Sequence, residues 1–421
     1  MQSFILIIGI ALCCMALLQF GLWSAQGFSL IAQNKKQFEL SRELMKKQIA
    51  ERTKPTEVKE NTNDERWNGF RWFRVARLVK ETDVCTSVYF EAEDGKAIPS
   101  FEPGQHLTFK FLIPGQSKPT VRCYSLSDAP GKDYYRITVK KAPPPRDKPE
   151  LPSGRASTFV NEGLMVGDRI EVKAPSGHFF VDQKSEAPVV LLGGGIGITP
   201  MVSIANHLLE QGSNRTVLLV YGAQNGADQA FKHHFARLVE KHENFHALNC
   251  YSSPLPSDVE GRDYQIKGFA SIDLLKQVLP DAKCQFYMCG PPPFMNSLYN
   301  GLLEWGVPES RVFFEAFGPA SIGKAKKKTE SAEASVETST VMFVKSDATV
   351  TWNGDSDSIL DLAEENDIAI DSGCRAGSCG SCETALLKGK VKYPDQQSVN
   401  CEPGKCLVCI AKPDGDIELE A

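Results

Sequence analysis

The sequence predicts a multidomain chain of mixed class: an N-terminal transmembrane helix, an antiparallel β-barrel, an α/β doubly wound domain and a small α+β domain at the C-terminus. Three observations lead there. Residues 4–23 form an uncharged apolar run. Residues 67–183 then read as short alternating runs broken by Pro and Gly, whereas residues 184–318 alternate strand-length apolar runs with helical stretches. Finally, Cys374, Cys379 and Cys382 crowd one glycine-rich loop, and Cys409 follows at a distance. At 421 residues the chain is too long for one hydrophobic core.

The apolar run is 20 residues long, with Gln19 its one clearly polar side chain. At about 1.5 Å per residue a helix of that length crosses roughly 30 Å of hydrocarbon. Trp23 and Phe28 suit the interface. A cleaved signal peptide normally begins with basic residues; here no Lys or Arg precedes the run. The first basic residues, Lys35, Lys36, Arg42, Lys46 and Lys47, follow it, so the positive-inside rule places the bulk of the chain in the cytoplasm. The expectation is a single-pass anchor in the inner (cytoplasmic) membrane over residues 1–30, in contact with membrane lipid. A polar helix and charged linker follow over 31–66. Residues 319–340 have almost no apolar content and read as a flexible linker, with a short basic run at 324–328. The net charge is −5, and no basic patch interleaves with aromatics, which argues against nucleic-acid binding. The chain has 13 cysteines without disulfide-like spacing, as a reducing compartment allows.

The spacing C-x4-C-x2-C followed by a distant cysteine is the ligand pattern of a plant-type [2Fe–2S] cluster. Three thiolates within nine residues require backbone wrapped closely round the cluster, which Gly373, Gly377 and Gly380 permit. Zinc usually takes paired C-x2-C knuckles, and the loop holds one. Cys406 competes as fourth ligand. Cys409 is preferred because Leu-Val-Cys before an apolar residue resembles the strand carrying the last ligand in plant-type ferredoxins. That resemblance covers residues 341–421. Segments 341–344, 349–352, 358–365 and 385–391 read as the strands and helix of a β-grasp fold.

Within the barrel region stand Arg122-Cys123-Tyr124-Ser125 and, further on, Gly154-Arg155-Ala156-Ser157. Arg-x-Tyr-Ser followed by Gly-x-x-Ser resembles the flavin site of the ferredoxin–NADP reductase superfamily. The resemblance implies an FAD-binding barrel over 67–183. Arg122 would face the flavin pyrophosphate, Tyr124 the isoalloxazine ring and Ser125 its N5 atom. Val139 and Lys140 belong to a strand lining the ring. Gly154, Ala156 and Ser157 open a helix whose amides favour phosphate. His106, in Pro-Gly-Gln-His, reads as structural.

In the following domain, expected strands at 189–192, 217–221 and 285–288 alternate with helices at 201–209 and 228–241. Gly193-Gly194-Gly195-Ile196-Gly197-Ile198-Thr199-Pro200 follows the first strand and departs from the G-x-G-x-x-G fingerprint. It resembles the superfamily's nicotinamide loop, which implicates Gly194, Gly195, Gly197, Thr199 and Pro200. Cys289-Gly290-Pro291 matches the segment that sets a cysteine beside the nicotinamide, with Gly290 and Pro291 at the cofactor. Glu315-Ala316-Phe317 resembles the segment bringing an acid and an aromatic near the flavin. Tyr124, Ser125, Cys289 and Phe317 are the candidate catalytic residues. No arginine follows the second strand, where a 2′-phosphate normally demands one, so NADH is expected. His233 and His234 read as helix decoration.

The order flavin barrel, nicotinamide domain (184–318), ferredoxin (341–421) resembles reductases of the phthalate dioxygenase and hybrid-cluster-protein type. It implies that NADH reduces FAD, which feeds the [2Fe–2S] cluster, which serves an oxygenase, a desaturase or a hybrid-cluster protein. A quinone-reducing component of a respiratory complex and a membrane-tethered redox sensor are the alternatives. The flavin subunit of the sodium-pumping NADH:quinone reductase also has a membrane span, but carries its ferredoxin before the flavin domain.

Overall fold

The computed structural model describes residues 43, 67, 69–116, 119–144, 149–150, 152–317, 338–354, 356–370, 372, 377, 380, 382–393, 401 and 403–421. The expected membrane anchor, the polar helix apart from Glu43 and the linker at 319–337 lie outside them. Among the described residues no helix is long and apolar enough to cross a membrane.

The first unit is a six-stranded antiparallel sheet in the order β4-β3-β6-β1-β2-β5. Its strands are β1 (Phe70–Thr82), β2 (Cys85–Ala92), β3 (His106–Phe111), β4 (Thr120–Ser125), β5 (Tyr135–Lys140) and β6 (Arg169–Lys173). Strand alternation builds the interior. Leu107, Phe109 and Phe111 of β3 and Tyr135, Ile137 and Val139 of β5 share one buried core. The intervening Arg136, Thr138 and Lys140 face the other way, and Arg136 and Lys140 reach the second unit. The helix opened by Gly154 is short, Arg155–Thr158, and runs into a π-helical turn, Phe159–Gly163.

The second unit is a parallel sheet in the order β10-β9-β8-β7-β11-β12. It comprises β7 (Val189–Gly194), β8 (Val217–Ala223), β9 (Phe245–Tyr251), β10 (Ile266–Lys267), β11 (Gln285–Cys289) and β12 (Val312–Glu315). A parallel sheet covered on both faces needs strands that are apolar throughout. The period of two divides them between two cores. Val189, Leu191, Val217, Leu219, Tyr221 and Tyr287 pack on one face. Val190, Leu192, Leu218, Val220, Phe286 and Met288 pack on the other. Helices Ile198–Glu210, Lys232–Lys241, Ile272–Val278 and Pro292–Glu304 cover the sheet. The helix expected from residue 228 begins instead at Lys232, because Phe231 turns into the left-handed region at φ 60° and residues 228–231 are spent on turns. Arg215, buried, ties the segment entering the parallel sheet to the start of β11. It donates to Ala187 O at 2.7 Å, Asp182 O at 2.9 Å and Gln285 Oε1 at 2.6 Å.

The third unit pairs β13 (Ser339–Phe343), β14 (Ala348–Trp352), β15 (Glu383–Lys388), β17 (Lys405–Leu407) and β19 (Ile417–Leu419) in the order β14-β13-β19-β15-β17. The helix Ile359–Glu365 is capped by Ser358, whose Oγ accepts from Asp361 N at 3.2 Å. The strand expected at 385–391 is in fact two. Gly389 turns at φ +87°, and β16 (Val391–Lys392) pairs separately with β18 (Lys412–Pro413).

Burial lowers the pKa of His207 and of His234 from 6.5 to about 4. Around His234, Arg136 and Arg237 lower it further and Asp128 opposes them; Glu210 opposes the shift of His207. Both rings fold neutral, so the unfolded chain binds more protons between about pH 4 and 6.5, and stability is full above 6.5 and falls as pH drops. Urea unfolding at pH 7.5 and 5.5 is expected to show a loss of about 1 kcal/mol for each imidazole at the lower pH. The pH difference should shrink in His234→Gln. An unchanged midpoint would contradict the buried neutral assignment.

Candidate active site

The flavin strand β4 ends where the parallel strands β7, β11 and β12 also end, so the two motif sets meet at one seam. Ser125 is buried and its Oγ donates to Glu315 Oε2 at 3.3 Å, across 190 residues of sequence. Glu315 Oε1 lies 3.4 Å from His106 Nδ1, and both side chains are buried. The far edge of the imidazole, Nε2, is 3.4 Å from Ser176 Oγ. Gly177 makes room for this ring: at φ +112° it carries no Cβ, and one placed there would lie 2.8 Å from His106 Nδ1. Cys289 is fully buried, and burial followed by the Glu315 carboxylate pushes its thiol well up, which keeps it protonated.

Tyr124 is partly buried with its ring against Phe109 and Phe111, at centroid separations of 6.0 and 6.2 Å. Burial pushes its phenol up to about 12. Arg122, two residues earlier on the strand, is exposed and bonds Val121 O at 2.6 Å. At the end of the short helix opened by Gly154, Thr158 Oγ1 is buried without a partner, the kind of orphan that a flavin phosphate or ribose satisfies.

The other expected flavin residues are placed as follows. Ser157 Oγ donates to Gly154 O at 2.9 Å and accepts from Ala142 N at 3.0 Å, so it closes its own turn. Ala156 is buried in the barrel core. The Val139 side chain is also in that core, and its carbonyl accepts from Asn161 Nδ2 at 3.0 Å. Lys140 pairs with Asp228 across the seam. Phe317 is 47% exposed, because it follows the last strand of the sheet and has left its core.

The glycine-rich loop is built for close approach. Gly195 has φ +55° and nothing near a notional Cβ, so backbone is presented to open space. Gly197 is packed so tightly that a Cβ would lie 2.2 Å from Cys289 O. A Cβ on Gly194 or Gly290 would press on Phe294, at 3.1 and 2.8 Å, and one on Gly194 also on Pro291 Cδ, at 3.0 Å. Thr199 Oγ1 donates to Ile196 O at 3.1 Å and closes the loop, and Pro200 is buried in the first turn of the helix. The loop and the Cys289-Gly290-Pro291 segment thus form one glycine-floored surface beside Ser125 and Glu315, which suits a dinucleotide.

Cys374 and Cys379 lie outside the described residues. Cys382 and Cys409 are both buried in the core of the third unit, as is Cys406. Gly377, at φ +73°, packs so closely that a Cβ would meet Ile410 Cδ1 at 2.3 Å. At Gly377 the chain therefore lies against the residue following Cys409, and the two described cysteines of the expected donor set, Cys382 and Cys409, share one core.

Glu315 stands out in the sequence only as part of a segment, His106 reads there as structural, and Asp128 is not among the expected site residues. His234 is no surface decoration: its Nε2 hydrogen-bonds Asn206 Oδ1 at 2.7 Å inside the seam. The turn Ser127-Asp128-Ala129-Pro130 directly after the Arg-x-Tyr-Ser segment was the one available signal for Asp128.

Comparison with known proteins agrees with this geometry. Residues 76–181 match an oxidoreductase FAD-binding domain, 191–299 an oxidoreductase NAD-binding domain, and 342–414 a 2Fe-2S iron-sulfur cluster binding domain. A flavohemoprotein of Bacillus anthracis is 41% identical over 255 residues, which is 61% of this chain and 62% of that protein. The chain therefore spans less than two thirds of the flavohemoproteins it matches. The solved FAD/NAD binding domain of a nitric oxide dioxygenase from Vibrio cholerae O1 biovar El Tor is 30% identical with a TM-score of 0.53, covering 59% of this chain and 99% of that one. Phthalate dioxygenase reductase, described as a modular structure for electron transfer from pyridine nucleotides to [2Fe–2S], is 25% identical with a TM-score of 0.53, covering 84% and 98%. The chain belongs to the ferredoxin–NADP reductase superfamily of flavoproteins, in the form that carries a C-terminal [2Fe–2S] ferredoxin domain. Its three matched domains are oxidoreductase domains for FAD and NAD and a domain that binds a 2Fe–2S cluster.

Two substitutions check the site. Gly197→Ala is expected to raise the NADH concentration for half-maximal flavin reduction, or slow that reduction, by about 10–100-fold, read by rapid mixing. Cys409→Ser is expected to lose the visible absorbance of the cluster, whereas Cys406→Ser keeps it; the reverse would move the fourth ligand to Cys406.

Proposed function

We propose that this chain is a membrane-anchored NADH-dependent reductase that passes electrons through FAD and the [2Fe–2S] cluster to a redox protein, namely a terminal oxygenase, a desaturase or a hybrid-cluster protein. The observation that carries the reading is the domain order, with a ferredoxin domain fused after the flavin and nucleotide domains, as in the phthalate dioxygenase reductase match. When bound, FAD takes a hydride and the cluster relays electrons singly. The protein's own residues bind, orient and shield. Gly194, Gly195, Gly197, Thr199 and Pro200 cradle the phosphates of NADH, and Gly290, Pro291 and Cys289 align the nicotinamide. Tyr124 packs on the flavin ring, Ser125 and Glu315 bond near N5, and Arg122 with the Gly154 turn holds the pyrophosphate. Cys374, Cys379, Cys382 and Cys409 hold the cluster. The absence of an arginine after β8, in Gln224-Asn225, favours NADH over NADPH. The apolar run at 4–23, followed by its basic flank, supports tethering to the cytoplasmic face of the inner membrane.

The 41% identity to flavohemoproteins favours a second reading, in which a haem partner draws electrons from the flavin directly. One variant separates the two. Cys382→Ser should still reduce ferricyanide from NADH, because that acceptor takes electrons from the flavin, but should lose about tenfold or more in reduction of cytochrome c used as a protein probe. Equal rates with both acceptors in the cluster-free variant would overturn the first reading. Detergent extraction of the full chain, with quinone offered beside ferricyanide, tests the respiratory alternative.

A further inference from the structure

Asp128 is a buried carboxylate that collects partners from both sides of the seam. Its Oδ1 accepts from Ala129 N at 2.9 Å and from Asn206 Nδ2 at 2.8 Å. Its Oδ2 accepts from Tyr134 OH at 3.0 Å and lies 3.3 Å from Arg136 Nη1. Its main-chain carbonyl accepts from Ser203 Oγ at 2.7 Å. Asp128, Ser203 and Asn206 are 8%, 0% and 3% exposed, so these bonds are sheltered from water. The network extends through Asn206 to His234, while the Arg136 guanidinium stands 5.2 Å over the ring of Phe231. It joins the turn after β4 to the helices Ile198–Glu210 and Lys232–Lys241.

The position of this hub in the chain matters more than its strength. Asp128 lies three residues beyond Ser125, and Ser203 four residues beyond Thr199. Ser125 ends the flavin strand, and Thr199 closes the glycine-rich loop. The Asp128–Ser203 bond therefore links the two cofactor motifs through seven residues of intervening chain, all in regular structure or a tight turn. Any change at the hub passes to the separation of the two motifs, because little chain is available to absorb it.

We propose that Asp128 is a positioning residue for hydride transfer: it registers the NADH loop against the flavin strand and so sets the distance between the nicotinamide and the flavin. The proposal rests on the reading that NADH reduces a bound flavin here. A reacting-atom separation of about 3–3.5 Å is needed for hydride transfer, and a displacement of about 1 Å costs roughly 100-fold in rate. A carboxylate gripped on both oxygens, with its charge met by Arg136, holds register more tightly than an exposed ion pair does. The same seam offers the contrast. Lys132 reaches Glu210, at the end of the same helix, at 2.6 Å, but the pair is solvated.

The test is anaerobic rapid mixing of the FAD-loaded full chain with NADH and with NADH deuterated at the transferred hydrogen. The variants are Asp128→Asn, Asn206→Ala, their double variant, Ser203→Ala and Lys132→Ala. The limiting rate of flavin bleaching should fall about 10–100-fold in Asp128→Asn and Asn206→Ala, with half-saturation by NADH moving less than about threefold. The double variant should lose less than the product of the two single losses, since both act on one coupled network. The isotope effect should rise as the hydride step becomes fully limiting. Lys132→Ala should stay within about twofold of the parent. Ser203→Ala and Asn206→Ala leave the Asp128–Arg136 pair intact, so they report even where Asp128→Asn folds poorly. Limiting rates within twofold of the parent in both Asn206→Ala and Ser203→Ala would overturn the proposal, as would losses that merely track lost FAD. A parent chain whose flavin NADH leaves oxidised would instead overturn the functional reading beneath it.

Discussion

The contact between Ser125 and Glu315 is the constraint on which the rest of the molecule depends. It joins the last residue of a barrel strand to the last residue of the parallel sheet, and hydride transfer is set by how those two ends meet. In a parallel sheet all carboxyl ends of the strands lie on one crest, and ligands collect there. Strand β7 delivers the glycine-rich loop to that crest, β11 delivers Cys289 and β12 delivers Glu315. The barrel closes the crest from above with Ser125 and His106. Ser125, Glu315 and His106, all buried there, contact one another across the seam.

The two chemical tasks ask for different construction. Hydride transfer tolerates little error in distance, and the seam answers with buried hydrogen bonds and glycines that leave no slack. One-electron transfer through a cluster is less demanding of orientation, and the ferredoxin unit has a separate core of its own around Val341, Phe343, Leu360 and Cys406. There the local demand is for backbone that bends sharply, met by Gly377 against Ile410.

What the sequence made legible was what local pattern determines. The apolar run of strand length at Val189 to Leu192 and the alternation at His106 to Phe111 located strands, because run length and alternation are properties of the strand alone. The glycine loop and the cysteine spacing were legible for the same reason. The start of the helix at Lys232 was not, since the sequence from Asp228 onwards suits a helix and only the left-handed turn at Phe231, which places that ring beneath Arg136, delays it. That the Ser157 hydroxyl closes its own turn on Gly154 and Ala142, and that Phe317 lies exposed beyond the last strand, are matters of tertiary placement that no local spacing carries. His234 and Asp128 share the partner Asn206, 28 and 78 residues away from them, and no local spacing encodes such pairings.

The central claim is that electrons enter as a hydride at the Ser125–Glu315 seam and leave singly through the cysteine-bound cluster. Anaerobic titration of the full chain with NADH, followed by absorbance and by low-temperature electron paramagnetic resonance, tests it most directly. The account predicts that flavin absorbance bleaches and that the signal of a reduced [2Fe–2S] cluster grows in the same titration. A cluster that stays oxidised while the flavin is fully reduced by excess NADH would contradict it.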